Sequence, residues 1–185
     1  MKFEIILIGP IGSGKSTIAE LISMKTGLPR RSMDELRWKY YDEMGYDRDL
    51  ARHHYQREGC WGIYRYWKSF EAYAVRRLLS DHDNCVIDFG AGNTVYEDDR
   101  LFHQVHETLT PYPYIVLLLP SPDPQESLQI LNARTDAAAD GRDSINEHLI
   151  CHPSNYALAK FTVYTKNKTS EETCDEILRW VQSQE

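Results

Sequence analysis

Apolar blocks alternate with amphipathic stretches along the chain, and their lengths separate strands from helices. Phe3 to Ile8 is an apolar run broken only by Glu4, short enough for one buried strand. From about Lys15 the period changes to a helical one, with Ile18, Leu21 and Ile22 on one face. Gly27 suits a left-handed C-cap there, and Pro29 follows it. A short second strand is predicted around Leu28 to Met33, with Asp34 at its end, and then a helix over 35–44. Residues 67–80 read as a helix, and Asn84 to Ile87 as a strand ending in Asp88. Gly90-Ala91-Gly92 predicts a tight turn before a helix from about Val95 to Leu109. Tyr114 to Leu119 is the most apolar strand, closed by Pro120. Asp123-Pro124 opens a helix carrying Leu128 and Leu131 and ending near Arg134. The polar stretch 135–152, with Gly141 and Arg142, suits a mobile lid. A return from Tyr156 leads to a last strand, Phe161 to Thr165. Ser170 then caps a terminal helix with Cys174, Ile177, Leu178 and Val181 on one face. Strands alternating with helices predict a parallel α/β architecture in a single domain, 1–185.

Segment 45–66 breaks this rhythm. Gly45, Gly59 and Gly62 punctuate Tyr46, Tyr55, Trp61, Tyr64 and Tyr66, with Arg48, Arg52, Arg57, Arg65, His53 and His54 among them. It reads either as an irregular helical insertion whose rings pack on the body, or as part of a substrate cap over 35–70. In the second reading the guanidinium groups meet an anionic substrate and the rings stack on it.

Composition narrows the classes. The 185 residues carry a net charge of −7, which disfavours nucleic-acid and anionic-membrane partners. No apolar run reaches membrane-span length, and Lys2 and Glu4 do not suit a signal peptide, so a cytoplasmic protein is expected, monomeric or weakly dimeric. Cys60, Cys85, Cys151 and Cys174 lack metal-binding spacing and read as incidental thiols.

The chemistry concentrates in Gly9-Pro10-Ile11-Gly12-Ser13-Gly14-Lys15-Ser16-Thr17, which fits G-x-x-x-x-G-K-[ST] between a strand and a helix. Such a loop turns successive N–H groups inward around phosphate oxygens, with the helix dipole behind them. ATP and Mg²⁺ are therefore expected ligands. Gly9, Gly12, Ser13, Gly14, Lys15, Ser16 and Thr17 would hold the nucleotide, and Ser16 would offer a hydroxyl to the metal. Val86-Ile87-Asp88, a short apolar strand ending in an acid, makes Asp88 a second candidate for the metal shell.

With these motifs in this order, the chain resembles the shikimate kinases, within the nucleoside-monophosphate-kinase-like P-loop kinases. The resemblance implies a three-layer P-loop fold: a five-stranded parallel sheet, order 2-3-1-4-5, with a helical cap and a lid. It implies Asp34 as the group that orients the acceptor hydroxyl and takes its proton, Arg142 as the lid arginine, and Arg134 beside the adenine. It also implies an acceptor site built from Asp34, Lys68, Gly90, Ala91, Gly92 and His152. Three places depart from the family. Ser32 stands where its first Asp-x-Asp acid would be, which suggests that Asp88 replaces that acid. Lys68 and His152 stand where it has two arginines that grip the substrate carboxylate. The expectation is thus an ATP-dependent kinase transferring the γ-phosphate to a hydroxyl of a small acceptor other than shikimate. The alternatives are a true shikimate kinase, a nucleoside or nucleotide kinase, and a non-catalytic nucleotide-binding module. A kinase of a macromolecule is kept open by the arginines of segment 45–66.

Overall fold

The computed structural model describes residues 3–135 and 142–184. Five strands form one parallel sheet in the order β2-β3-β1-β4-β5: β1 Ile5–Ile8, β2 Arg30–Ser32, β3 Val86–Asp88, β4 Tyr114–Leu119 and β5 Phe161–Tyr164. The order expected from the resemblance is the one observed. β1 and β4 lie inside the sheet with helices on both faces, so every residue of each is buried.

Alternation along the strands divides the core. Ile6, Ile8, Ile87, Ile115, Leu117 and Leu119 face one side, against α2 (Met33–Glu43), α3 (Arg48–Asp81) and α4 (Asp99–Leu109). Ile5, Leu7, Val86, Val116, Leu118 and Val163 face the other, against α1 (Lys15–Thr26) and α8 (Ser170–Ser183). Each apolar side chain taken from water this way contributes about 1.5–3 kcal/mol. Gly27 ends α1 with φ 76°, as predicted.

Segment 45–66, read as an irregular helical insertion or as part of a cap, is helical from Arg48, and α3 consists of two helical runs that meet at Gly59. Gly59 reconciles the two halves: its φ of 58° and ψ of −144° kink the helix. Gly62 then packs on the preceding turn, where a Cβ would meet the His54 carbonyl oxygen at 2.2 Å. Gly45 thus lies in the turn between α2 and α3, whereas Gly59 marks the break between the two runs of α3.

Other boundaries moved for local reasons. Helix α4 begins at Asp99 rather than Val95, because the Asp98 carboxylate accepts from the backbone of Arg100 and Leu101. Val95 and Tyr96 instead drop into the core. The cap of α8 is Thr169, not Ser170, in a reciprocal capping box with Glu172. Most of the stretch expected as a polar lid is a helix, α6 (Arg142–Cys151), following α5 (Pro124–Thr135). Residues 136–141, Gly141 among them, lie outside the described residues. A short helix α7 (Pro153–Leu158) occupies the return to β5. No helix among the described residues is long and apolar enough to cross a membrane.

Candidate active site

The site gathers at the C-terminal ends of β1, β2 and β3. The loop leaving β1 places Gly9, Gly12 and Gly14 at φ 141°, 78° and 92°. Gly9 passes so close to β4 that a Cβ would sit 2.5 Å from the Leu118 carbonyl oxygen. No side chain caps α1, and its first turn carries no acid, so the helix start is open to an anion. That is the donor set a phosphate group fits.

Lys15 is buried and curls back over the loop. Its Nζ donates to the Gly9 and Pro10 carbonyls at 2.8 Å each and approaches Ser13 Oγ at 3.4 Å. Burial pushes its pKa down to about 8, with the charge of Asp88 pulling the other way. Ser16 and Thr17 are exposed in the first turn of α1.

In front of the loop lies a cavity of about 560 Å³. Gly12, Gly14, Lys15, Ser16 and Thr17 line one end, and Asp34, Gly90, Ala91 and Gly92 line it too. Ile63, Tyr64, Trp67, Ile145 and Leu149 give the cavity an apolar wall. The structure thus brings the phosphate loop, the predicted acid and the glycine turn onto one chamber. It also answers the question left open for the aromatic segment. Tyr64 and Trp67 face the chamber, whereas Tyr46 and Tyr66 pack with Phe70 at centroid distances of 5.3–5.6 Å.

Lys68 and His152 do not line this cavity among the described residues. Lys68 is buried, with Nζ 2.6 Å from Glu71 Oε2, and it donates to the Gly92 and Val95 carbonyls at 2.9 and 3.0 Å. His152 is the N-cap of α7, its Nδ1 accepting from the Ser154 N–H at 3.3 Å. Burial and then the neighbouring His148 lower its pKa, which keeps the ring neutral at pH 7. Glu97, His148 and His152 have ligand atoms within 4.8 Å of one another. With Nδ1 occupied as an acceptor, however, the neutral His152 ring carries its proton on Nε2. Glu97 Oε1 takes Tyr64 Oη at 2.8 Å and lies 2.6 Å from His148 Nε2. Burial pushes the Glu97 pKa up, but these two bonds prevail and hold it low. Glu97 thus ties Tyr64 of α3 to His148 of α6 beside the cavity.

Asp88 ends β3 directly opposite Ser32 of β2, the position whose acid it was expected to replace. It is buried and accepts a two-pronged contact from Arg30, Nε at 3.2 Å and Nη2 at 2.9 Å. Arg134 is exposed on α5, its Nη1 3.5 Å from the Gly12 carbonyl, and it borders a smaller hollow with Ser13, Thr165 and Lys168. Arg142 begins α6; its side chain lies outside the described residues.

Three neighbours escaped the sequence reading. Arg37, one turn beyond Asp34, forms an ion pair with it and lines the cavity. Arg30 holds Asp88. Asn146, fully buried on α6, accepts the Ile11 N–H at 2.9 Å and donates to the Ile11 carbonyl at 3.3 Å, tying that helix to the phosphate loop. An i, i+3 spacing of opposite charges was visible for Arg37; nothing local marks the other two.

No protein-family model matches the chain. Over 98 residues it is 33% identical to a shikimate kinase of Marinomonas sp. (strain MWYL1), a match covering 52% of this chain and 48% of that protein. The chain thus spans about half the length of the curated relative it matches. Among solved structures it is similar to a shikimate kinase from Acinetobacter baumannii in complex with shikimate, with a TM-score of 0.68 and 18% identity over 98% of this chain and 94% of that one. It is also similar to a gluconokinase from Sinorhizobium meliloti 1021, with a TM-score of 0.59 and 17% identity over 98% of this chain and 92% of that one. The fold is the P-loop kinase fold of the nucleoside-monophosphate-kinase-like type, related to that of shikimate kinase.

Proposed function

We propose that this protein is an ATP-dependent kinase that moves the γ-phosphate to a hydroxyl of a small molecule, with shikimate the first acceptor to consider. The observation that carries the reading is the shared chamber: Lys15 and the uncapped start of α1 at one end, Asp34 and the glycine turn beside them. Phosphoryl transfer demands little covalent work from a protein. It demands positioning, charge neutralisation and exclusion of water. The loop amides and Lys15 would hold the transferred phosphate, and Asp34 would orient the acceptor hydroxyl and receive its proton. The wall of Ile63, Tyr64, Ile145 and Leu149 would keep water out. Mg²⁺, when bound, supplies further charge neutralisation; Ser16 is the candidate ligand and Asp88 the candidate for its surrounding shell. Arg134 and Arg142 are proposed to serve the adenine side and the transferred charge.

The relatives favour shikimate as acceptor over the different acceptor expected from Lys68 and His152. A different hydroxyl compound stands as the second reading, on one observation: both of those side chains are committed within the protein and neither faces the cavity. A coupled ADP-release screen with shikimate, sugars, sugar acids, nucleosides and nucleotides separates the readings, with Lys15→Ala and Asp34→Asn as controls. Shikimate turnover supports the first and turnover of another acceptor alone the second. ATP binding without turnover on any acceptor overturns both.

A further inference from the structure

Among the described residues lining the acceptor chamber there are two cations, Lys15 and Arg37. Lys15 belongs to the phosphate loop. Lys68, nearby in sequence to the wall residues, is spent on Glu71 and two carbonyls. An anionic group entering the chamber away from the phosphates therefore has Arg37 as its cationic partner.

Arg37 is placed for that work. Its side chain is only 15% exposed, so its field is less screened than a surface arginine's. It lies over the Trp67 ring, 5.3 Å from the centroid, which restrains the guanidinium plane. Its Nη2 pairs with Asp34 Oδ1. A Cβ on Gly90 would lie 2.9 Å from that oxygen and 3.2 Å from Arg37 Nη2, so the bare glycine keeps both groups beside the turn. A guanidinium has five N–H donors, more than a carboxylate contact through Nη2 uses. Ile63, Tyr64, Ile145 and Leu149 offer apolar surface to a carbon skeleton.

We propose that Arg37 is the anion anchor of the acceptor site, and that the acceptor is a small hydroxylated carboxylic acid gripped by Arg37 while its hydroxyl meets Asp34. This rests on the chamber being the acceptor site of the kinase reading. Because Arg37 holds Asp34 as well, one side chain sets the distance between the acid of the acceptor and the hydroxyl to be phosphorylated.

The test is calorimetric binding of shikimate, quinate and gluconate to the full chain and to Arg37→Met and Arg37→Lys, with ADP release followed in parallel. At least one acid should bind the unmodified protein. Arg37→Met should weaken it by about tenfold to a hundredfold, the loss of a charged hydrogen-bonded contact. Arg37→Lys should recover only part, since it keeps the charge without the planar fork. The methyl ester of the same acid should bind all three proteins alike, which a merely structural role for Arg37 does not predict. Binding of none of the acids, equal affinity in Arg37→Met, or ester binding as tight as acid binding overturns the anchor. Acid binding that depends on Arg37 without ADP release upholds the anchor and overturns the kinase. Turnover of a neutral acceptor with an Arg37-independent KM does the reverse.

Discussion

Lys68→Met tests whether Lys68 is a brace rather than a substrate ligand. The side chains of Lys68 and Glu71 are 9% and 5% exposed, one turn apart on α3. The ammonium has three donors. It donates to the Gly92 carbonyl at 2.9 Å and the Val95 carbonyl at 3.0 Å, and forms an ion pair with Glu71 Oε2 at 2.6 Å. The Tyr64 ring covers it 3.8 Å away. Methionine fills much of the volume and leaves the Glu71 carboxylate buried without its counter-charge. Breaking a buried pair from one side costs about 3–5 kcal/mol. The Gly92 carbonyl adds little, because it still accepts from the Val95 N–H. For a chain of this size that loss corresponds to a fall of roughly 6–20 °C in Tm. The assay is urea unfolding with the slope checked for constancy, and Lys68→Met/Glu71→Gln as the companion. The double variant should recover much of the loss, since the stranded charge goes with it. Loss below about 1 kcal/mol in the single variant, or a raised acceptor KM at unchanged stability, refutes the brace and restores Lys68 as a substrate ligand.

Three further outcomes are expected. Lys15 has a pKa of about 8 in the folded chain against an ordinary 10.5, so between these values the unfolded chain binds more protons and stability rises with pH. A phosphate group should restore the charged form, so ATP binding near pH 8.5 should take up protons. Calorimetry in buffers of different ionisation heat should detect that uptake, and Lys15→Met should abolish it. Gly9→Ala forces a Cβ to 2.5 Å from the Leu118 backbone oxygen at φ 141°, and should lower the unfolding free energy by several kcal/mol, read by denaturant titration. Asp88→Asn removes the charge that Arg30 holds at 2.9 Å and should raise the Mg²⁺ concentration needed for half-maximal turnover; an unchanged requirement removes Asp88 from the metal shell.

The local parts of this site were legible in the chain. A strand, a glycine loop and a helix joined without interruption are a short-range pattern, and Gly9 to Thr17 lie between β1 and the first turn of α1 as expected. Asp34 and Gly90 to Gly92 also reached the chamber, because each sits just beyond a strand whose end the parallel sheet gathers to one edge. The aromatic, glycine-punctuated segment is helical, as one of its two readings had it, but what each glycine does depends on what lies beside it. At Gly62 what lies beside it is the His54 backbone, a contact that exists only once the helix has bent.

Sequence alone determined the glycine loop and the helix start behind it, since consecutive residues make them. Only the tertiary structure decided the acceptor half. Lys68 and His152 were assigned by position, and long-range packing turned one toward the carbonyls of the β3–α4 connection and made the other a helix cap. Arg37, passed over as one charge among many on a helix, was carried to the chamber by α2 folding against α3, where it lies over Trp67. The physical reason is that a charged side chain takes its role from the partners that desolvate and neutralise it. Here those partners come from strands and turns far along the chain.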